Sequence, residues 1–141
     1  MPAAMNKLFA QVTRPSARVL PGRALARLFV RDMELLAVVG IYDHEKTEPQ
    51  RIRVSLDLHV LDRVGPKRDE IADVVSYEEA VEIVRGIVGA GHVNLLETLA
   101  ERIAAALLAD VRIRAVTVRV EKLDAFAEAA SVGIEITRGQ P

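Results

Sequence analysis

From Arg51 to Val60 the chain alternates without a break. Ile52, Val54, Leu56, Leu58 and Val60 fall on one parity, and Arg51, Arg53, Ser55, Asp57 and His59 on the other. A period of two puts all five apolar side chains on one face of an extended strand and the polar set on the opposite face. Such a strand folds only within a sheet whose apolar face is covered by another layer. A second strand is expected around Leu28 to Met33. Gly40 and Pro49 mark the stretch 40–50 as a loop, so residues 28–63 read as an antiparallel hairpin. Near the C-terminus Val116, Val118 and Val120 alternate with Thr117, Arg119 and Glu121, and Val132, Ile134 and Ile136 alternate with Gly133, Glu135 and Thr137. These are two further strands.

The cover lies between the two strand pairs. After a polar turn over 65–69, Ser76 followed by Glu79 forms a candidate capping box, and Ala80, Val81, Ile83, Val84, Ile87 and Val88 recur at helical spacing until Gly89 and Gly91. Asn94 is placed to cap a second helix with the stripe Leu95, Leu96, Leu99, Ile103, Leu107 and Leu108. The fold class is therefore α+β, an antiparallel four-stranded sheet with two helices on one face and a polar opposite face.

Half of the 141 residues are hydrophobic, yet the aromatics are only three Phe and two Tyr. The core must be aliphatic, and both tyrosines, Tyr42 and Tyr77, fall in polar segments where chemistry is possible. Nineteen basic residues against 20 acidic ones give no electrostatic case for nucleic acid or an anionic membrane. With no Cys there is no disulfide framework, thiol nucleophile or thiolate metal site. His44, His59 and His92 lack the spacing of metal ligands, so no metal is expected. No phosphate-cradling glycine loop is present, and Gly86, Gly89 and Gly91 mark a helix end instead. No cofactor is expected, and the cytoplasm is the default location. The first 31 residues carry Lys7, Arg14, Arg18, Arg23, Arg27 and Arg31 but no acid, a bias shared with organelle transit peptides. Pro2, Pro15, Pro21 and Gly22 would break a helix there, so residues 1–27 read as a basic, disordered arm, 28–138 as the domain and 139–141 as a tail.

Four polar landmarks stand out on this aliphatic frame. Taken singly, each has an ordinary role: Glu97 as a capping-box partner for Asn94, Lys122 as a solvated strand end, Tyr77 as packing under a loop, and Glu45 as a loop carboxylate with Glu48 as its rival. Together, two carboxylates, a phenol and an amine could bind and deprotonate a small heterocyclic alcohol. Lys122 also continues the buried parity of Val116, Val118 and Val120, which turns its amine toward apolar neighbours.

The segments Gly40-Ile41-Tyr42-Asp43-His44-Glu45, Ser76-Tyr77, Asn94-Leu95-Leu96-Glu97-x-Leu99-Ala100-Glu101-Arg102-Ile103-Ala104 and the strand ending in Lys122 resemble, in this order, the dihydroneopterin aldolase family. The resemblance spans about residues 28 to 138. It implies the tunnelling fold, in which such sheets join edge to edge into a ring barrel, as a tetrameric ring or an octamer with sites between subunits. It implies that Leu96 and Glu97 bind a dihydropterin, with the carboxylate accepting two parallel N–H donors from the amino-pyrimidine edge. It further implies that Lys122 is a general acid-base acting through a water, and that Tyr77 contacts the substrate and protonates the enol left by cleavage. Glu45 would help to close the site from a neighbouring subunit.

The resemblance departs after Lys122. Family members often continue into a proline-rich stretch, whereas here Lys122-Leu123-Asp124-Ala125-Phe126 leads to Ala130-Ser131-Val132. That segment is similar to dihydroneopterin triphosphate 2'-epimerase, a sister enzyme. The Tyr-x-x-Glu loop and the Asn-Leu-Leu-Glu helix start favour the aldolase, a metal-free lyase of folate biosynthesis. The alternatives are the epimerase and a non-catalytic pterin-binding ring protein.

Overall fold

A computed structural model describes residues 23–63 and 68–141. Most of the expected basic arm and part of the expected turn over 65–69 lie outside the described residues. Four strands, β1 (Arg23–Ala37), β2 (Gln50–Arg63), β3 (Ile113–Lys122) and β4 (Val132–Gly139), form one antiparallel sheet in the order β1-β2-β3-β4. Two helices, α1 (Tyr77–Val88) and α2 (Leu96–Leu107), connect β2 to β3. The α+β reading, with four antiparallel strands and two covering helices, is the observed fold.

The alternation in β2 does what its period requires. Ile52, Val54, Leu56, Leu58 and Val60 are all buried, as are Val116, Val118 and Val120 of β3. The helices supply Ala80, Val84 and Val88 from α1 and Leu99, Ala100, Ile103, Ala104 and Leu107 from α2 to the same core. α2 lies over β3 and β4, and α1 over β1.

β1 differs from its expected extent. It begins at Arg23 and pairs as far as Arg63, so the strand starts five residues before the boundary at 28, and β4 runs to Gly139. The expected strand, Leu28 to Met33, is only the middle of a 15-residue strand because a bulge disguises its period. Val30 pairs with Leu56 and Met33 with Val54, so β1 spends one residue more than β2 across that step. Asp32 takes φ of 56°, and its N–H donates to Ser55 Oγ at 3.0 Å. Inward parity therefore changes from Ala26, Leu28 and Val30 to Met33, Leu35 and Ala37, all of which pack on the core. An inserted residue of this kind erases simple alternation in the sequence.

At α1 the Ser76 half of the expected capping box is present, Ser76 Oγ accepting from Glu79 N–H. α2 is not capped by Asn94. Its N-cap is Leu95, without a side-chain cap, because Val93 is drawn into a parallel bridge with Val39 that sets where the chain leaves for the helix. At the other edge, β4 approaches β3 so closely at Gly133 that a Cβ would stand 2.1 Å from the Val120 carbonyl oxygen.

Leu58 is fully buried at the centre of β2, so Leu58→Ala should lower unfolding free energy by about 2–5 kcal/mol, read from urea denaturation. A loss under about 1 kcal/mol would mean that the helices do not pack on this face as described.

Candidate active site

The end of the sheet where β1 and β3 finish and β2 and β4 begin brings two of the expected site side chains into contact. Lys122 is the last residue of β3, paired with Ile52, and its Nζ stands 2.6 Å from Glu45 Oε2. Glu45 reaches it from a 3-10 turn over Asp43–Lys46 that folds back toward the sheet, its N–H donating to Tyr42 O at 2.9 Å. This turn lies in the stretch expected to be loop, and it buries Glu45 to 8% exposure while leaving Glu48 exposed. Between the two rival carboxylates, geometry joins Glu45 to Lys122. The resemblance had implied that Glu45 serves a neighbouring subunit's site. Here it pairs with the lysine of its own chain, because the 3-10 turn returns it to the strand end from which the loop departs.

Gly40 makes the seat. Its φ of 138° lies outside the range that L side chains usually adopt, and a Cβ there would fall 2.1 Å from the Glu45 carboxyl carbon. Gly40 N–H donates to Val93 O at 2.9 Å, and its carbonyl accepts from His92 Nε2 at 2.8 Å. The carboxylate of Glu45 also accepts from Gln50 Nε2 at 3.0 Å and from Tyr42 N–H at 3.4 Å. Burial by itself would raise the Glu45 carboxyl. Hydrogen bonds from Lys122, Gln50 and the Tyr42 N–H, with the ammonium charge beside it, outweigh burial and bring it down to about 2.

The Val39–Val93 bridge and the Gly40–Val93 hydrogen bond tie the start of α2 to this cluster. Leu96, half-buried against the core, and Glu97, exposed in the first turn, follow Val93 by three and four residues. Because Asn94 does not cap, the capping-box role for Glu97 is not realised, and its carboxylate has no partner among the described residues. Tyr77 is not brought into the cluster. It begins α1, just after Val74, whose carbonyl accepts from Arg112 Nη1 at 3.3 Å beside the first residue of β3. Lys122 is the last residue of that strand. Ten residues of strand span about 30 Å, and a 12-residue helix about 18 Å, so within one chain Tyr77 and Lys122 occupy opposite ends of the domain.

Two partnered polar residues near this end of the sheet escaped the sequence reading. Glu121, assigned to an ordinary polar sheet face, is buried to 4% exposure and takes two hydrogen bonds from Arg53, both 3.0 Å, and one from Ser131 Oγ at 2.7 Å. The Arg53 hydrogen bonds, working against burial, bring its carboxyl down to about 2. Gln50 is the other, and the signal for it was only its place immediately after Pro49 at a strand start. Among the described residues no three His, Cys, Asp or Glu side chains converge as metal ligands, and no helix is long and apolar enough to cross a membrane.

Glu45 and Glu121 each fall from 4.5 to about 2 on folding. The unfolded chain therefore binds more protons between these values, so both carboxylates stabilise the fold fully above about 4.5 and lose that contribution as pH falls toward 2. Urea midpoints taken through this window should drop in the wild type and drop less in Glu121→Gln. An equal drop in the variant would remove Glu121 from the set of acid-labile contacts.

The family model for dihydroneopterin aldolase matches residues 28–137. The chain is 32% identical over 112 residues to the dihydroneopterin aldolase of Escherichia coli K12, covering 79% of this chain and 92% of that one. It is 34% identical over 116 residues to the Bacillus subtilis enzyme, covering 79% and 96%. Among solved structures it is similar to a Burkholderia dihydroneopterin aldolase bound to guanine, with TM-score 0.72, 34% identity and coverage of 83% and 93%. It is also similar to the E. coli dihydroneopterin aldolase in complex with neopterin, with TM-score 0.71, 29% identity and coverage of 81% and 99%. A sheet with a lysine at the end of its third strand, clasped by a buried glutamate, is thus placed by sequence and by fold alike: the chain belongs to the dihydroneopterin aldolase family.

Proposed function

We propose that this chain cleaves 7,8-dihydroneopterin by a retro-aldol reaction to 6-hydroxymethyl-7,8-dihydropterin and glycolaldehyde, in folate biosynthesis. The observation that carries the reading is the Lys122–Glu45 pair, held 2.6 Å apart at the sheet end to which the Leu96–Glu97 helix start is bridged. Glu97, with no partner of its own, offers two oxygens to the exocyclic amine and adjacent ring N–H of a pterin, and Leu96 lines the same rim. Guanine and neopterin, bound to the two similar structures, share that amino-pyrimidine edge.

In the chemical step the hydroxyl on the β-carbon of the side chain loses its proton through a water to Lys122, which accepts it as the free amine and becomes the ammonium. The carbon–carbon bond breaks, the oxygen becomes the carbonyl of glycolaldehyde, and the bonding pair moves into the ring system as an enol. Tyr77 returns a proton to carbon and completes the hydroxymethyl product. The ring's electron-poor C=N bond accepts the pair, so the chemistry asks for general acid-base groups and no metal. Glu45 acts by holding the Lys122 nitrogen, and the ammonium it becomes, at one place.

Tyr77 reaches this site from another copy of the chain. β1 and β4 are the outer strands of the sheet, and joining such edges between copies satisfies open backbone groups that would otherwise invite aggregation. A ring of four, or two rings paired, sets the α1 start of one copy beside the Lys122 end of the next. The domain over 28–138, extended by the ends of β1 and β4 to Arg23 and Gly139, is then flanked by the basic arm and a short tail.

The triphosphate epimerase reading requires unspent cations near Lys122. Arg51 and Arg53, which flank the strand partner of Lys122, are both engaged: Arg51 with Asp124 and Glu34, and Arg53 with Glu121 and Asp32. This favours the uncharged side chain of dihydroneopterin.

Incubation with 7,8-dihydroneopterin should release glycolaldehyde with 6-hydroxymethyl-7,8-dihydropterin, resolved by chromatography. Epimer without glycolaldehyde would defeat the assignment. Glu97→Gln should weaken neopterin binding several-fold in a fluorescence titration, since one acceptor becomes a donor facing a donor. Unchanged affinity would leave Glu97 outside the site. Lys122→Met and Tyr77→Phe, each inactive alone, should on random co-assembly recover about a quarter of wild-type turnover, because some sites then draw Lys122 and Tyr77 from intact copies. No recovery would put both residues of one site on the same chain.

A further inference from the structure

Gln50 opens β2 opposite Ala37, half-buried, with its amide turned toward the Lys122 end. A side-chain amide has two N–H donors in a fixed plane. Gln50 makes one hydrogen bond from Nε2 to Val39 O at 2.7 Å and another to Glu45 Oε2 at 3.0 Å. The second acceptor is the same oxygen that holds Lys122 Nζ.

We propose that Gln50 is the positioning residue of the proton-transfer pair, locking the Glu45 carboxylate to the sheet backbone and thereby setting where the Lys122 amine stands. This rests on the aldolase reading of the site.

Three features make Gln50 necessary. First, Glu45 is carried on a 3-10 turn of four residues whose neighbours Ile41, Tyr42, Asp43, His44, Lys46 and Thr47 are all exposed, and the turn itself gives the carboxylate only the Tyr42 N–H at 3.4 Å. Second, an ammonium on a four-carbon stem has three rotatable donors and imposes no plane on the carboxylate it meets. Third, Val39 O belongs to the segment bridged to Val93, which leads into the Leu96–Glu97 helix start. Through one amide, Gln50 refers the carboxylate, and with it the amine, to the same backbone that presents the pterin-binding residues. Proton transfer depends on that relative placement far more than ground-state binding does.

The test uses Gln50→Met, which keeps the length and removes both donors. Its kcat for dihydroneopterin should fall about 10- to 100-fold while neopterin affinity stays within about three-fold, because placement of the amine is lost and the pterin edge contacts remain. The Glu45 carboxyl, followed by ¹³C NMR in the assembled protein, should titrate at a higher pH than in wild type, one hydrogen bond to its charged form having gone. Wild-type kcat together with an unmoved Glu45 titration would overturn the inference. If Gln50→Met does not fold, Gln50→Asn, whose amide is withdrawn by one methylene, carries the same two readouts with the same outcomes. A wild type without turnover would instead defeat the aldolase reading, and the Glu45 titration alone would then decide whether Gln50 fixes the carboxylate.

Discussion

A buried carboxylate facing an ammonium at the end of a sheet is the interaction on which the functional end of this domain depends. Removing a carboxylate from water costs several kcal/mol unless charge and hydrogen bonds replace its hydration. Glu45 receives that replacement from Lys122, Gln50 and the Tyr42 N–H, in a seat shaped by the missing side chain of Gly40. Each donor comes from a different stretch: a strand end, a strand start and a turn. The pair therefore ties the 40–50 loop to β2 and β3. The same seat fixes the helix start through Val93, since the Gly40 N–H donates to the Val93 carbonyl.

The opposite face of the sheet shows how charge is handled without an apolar cover. Arg53 and Glu121 sit side by side in register, Arg119 leans toward Glu121 and Glu135, and Arg27 pairs with Asp57 at 2.5 Å. Most of these pairs are exposed and add little to stability. Glu121 is the exception, because burial beneath Arg53 and Ser131 makes its hydrogen bonds obligatory. Within the proposed ring this face would line the central channel, where a lattice of paired charges stays hydrated without drawing in a counter-ion of one sign.

Much of the fold was legible because it rests on period. Five alternating apolar residues in β2 fix a face, a helical stripe after Ser76 fixes its cover, and both are local properties of consecutive residues. β1 was half legible. The extra residue between Val30 and Met33 inverts its parity, and no local pattern announces that the strand continues on the other side. The start of α2 was misread by one residue, since Asn94 has the chemistry of a cap but Val93 is held by a long-range bridge.

The sequence by itself determined the antiparallel sheet with two covering helices and the burial parity of Lys122, because side-chain type and spacing are written locally; Glu45, Tyr77, Leu96, Glu97 and Lys122 became the residues to watch only through the family resemblance. Tertiary structure decided which of them meet. It brought Glu45 rather than Glu48 to Lys122 and freed Glu97 from a capping role. It also buried Glu121, recruited Gln50, and set Tyr77 at the far end of the chain's own domain. These outcomes depend on where loops return and on which backbone groups pair across distant segments, and no pattern of neighbouring residues encodes that.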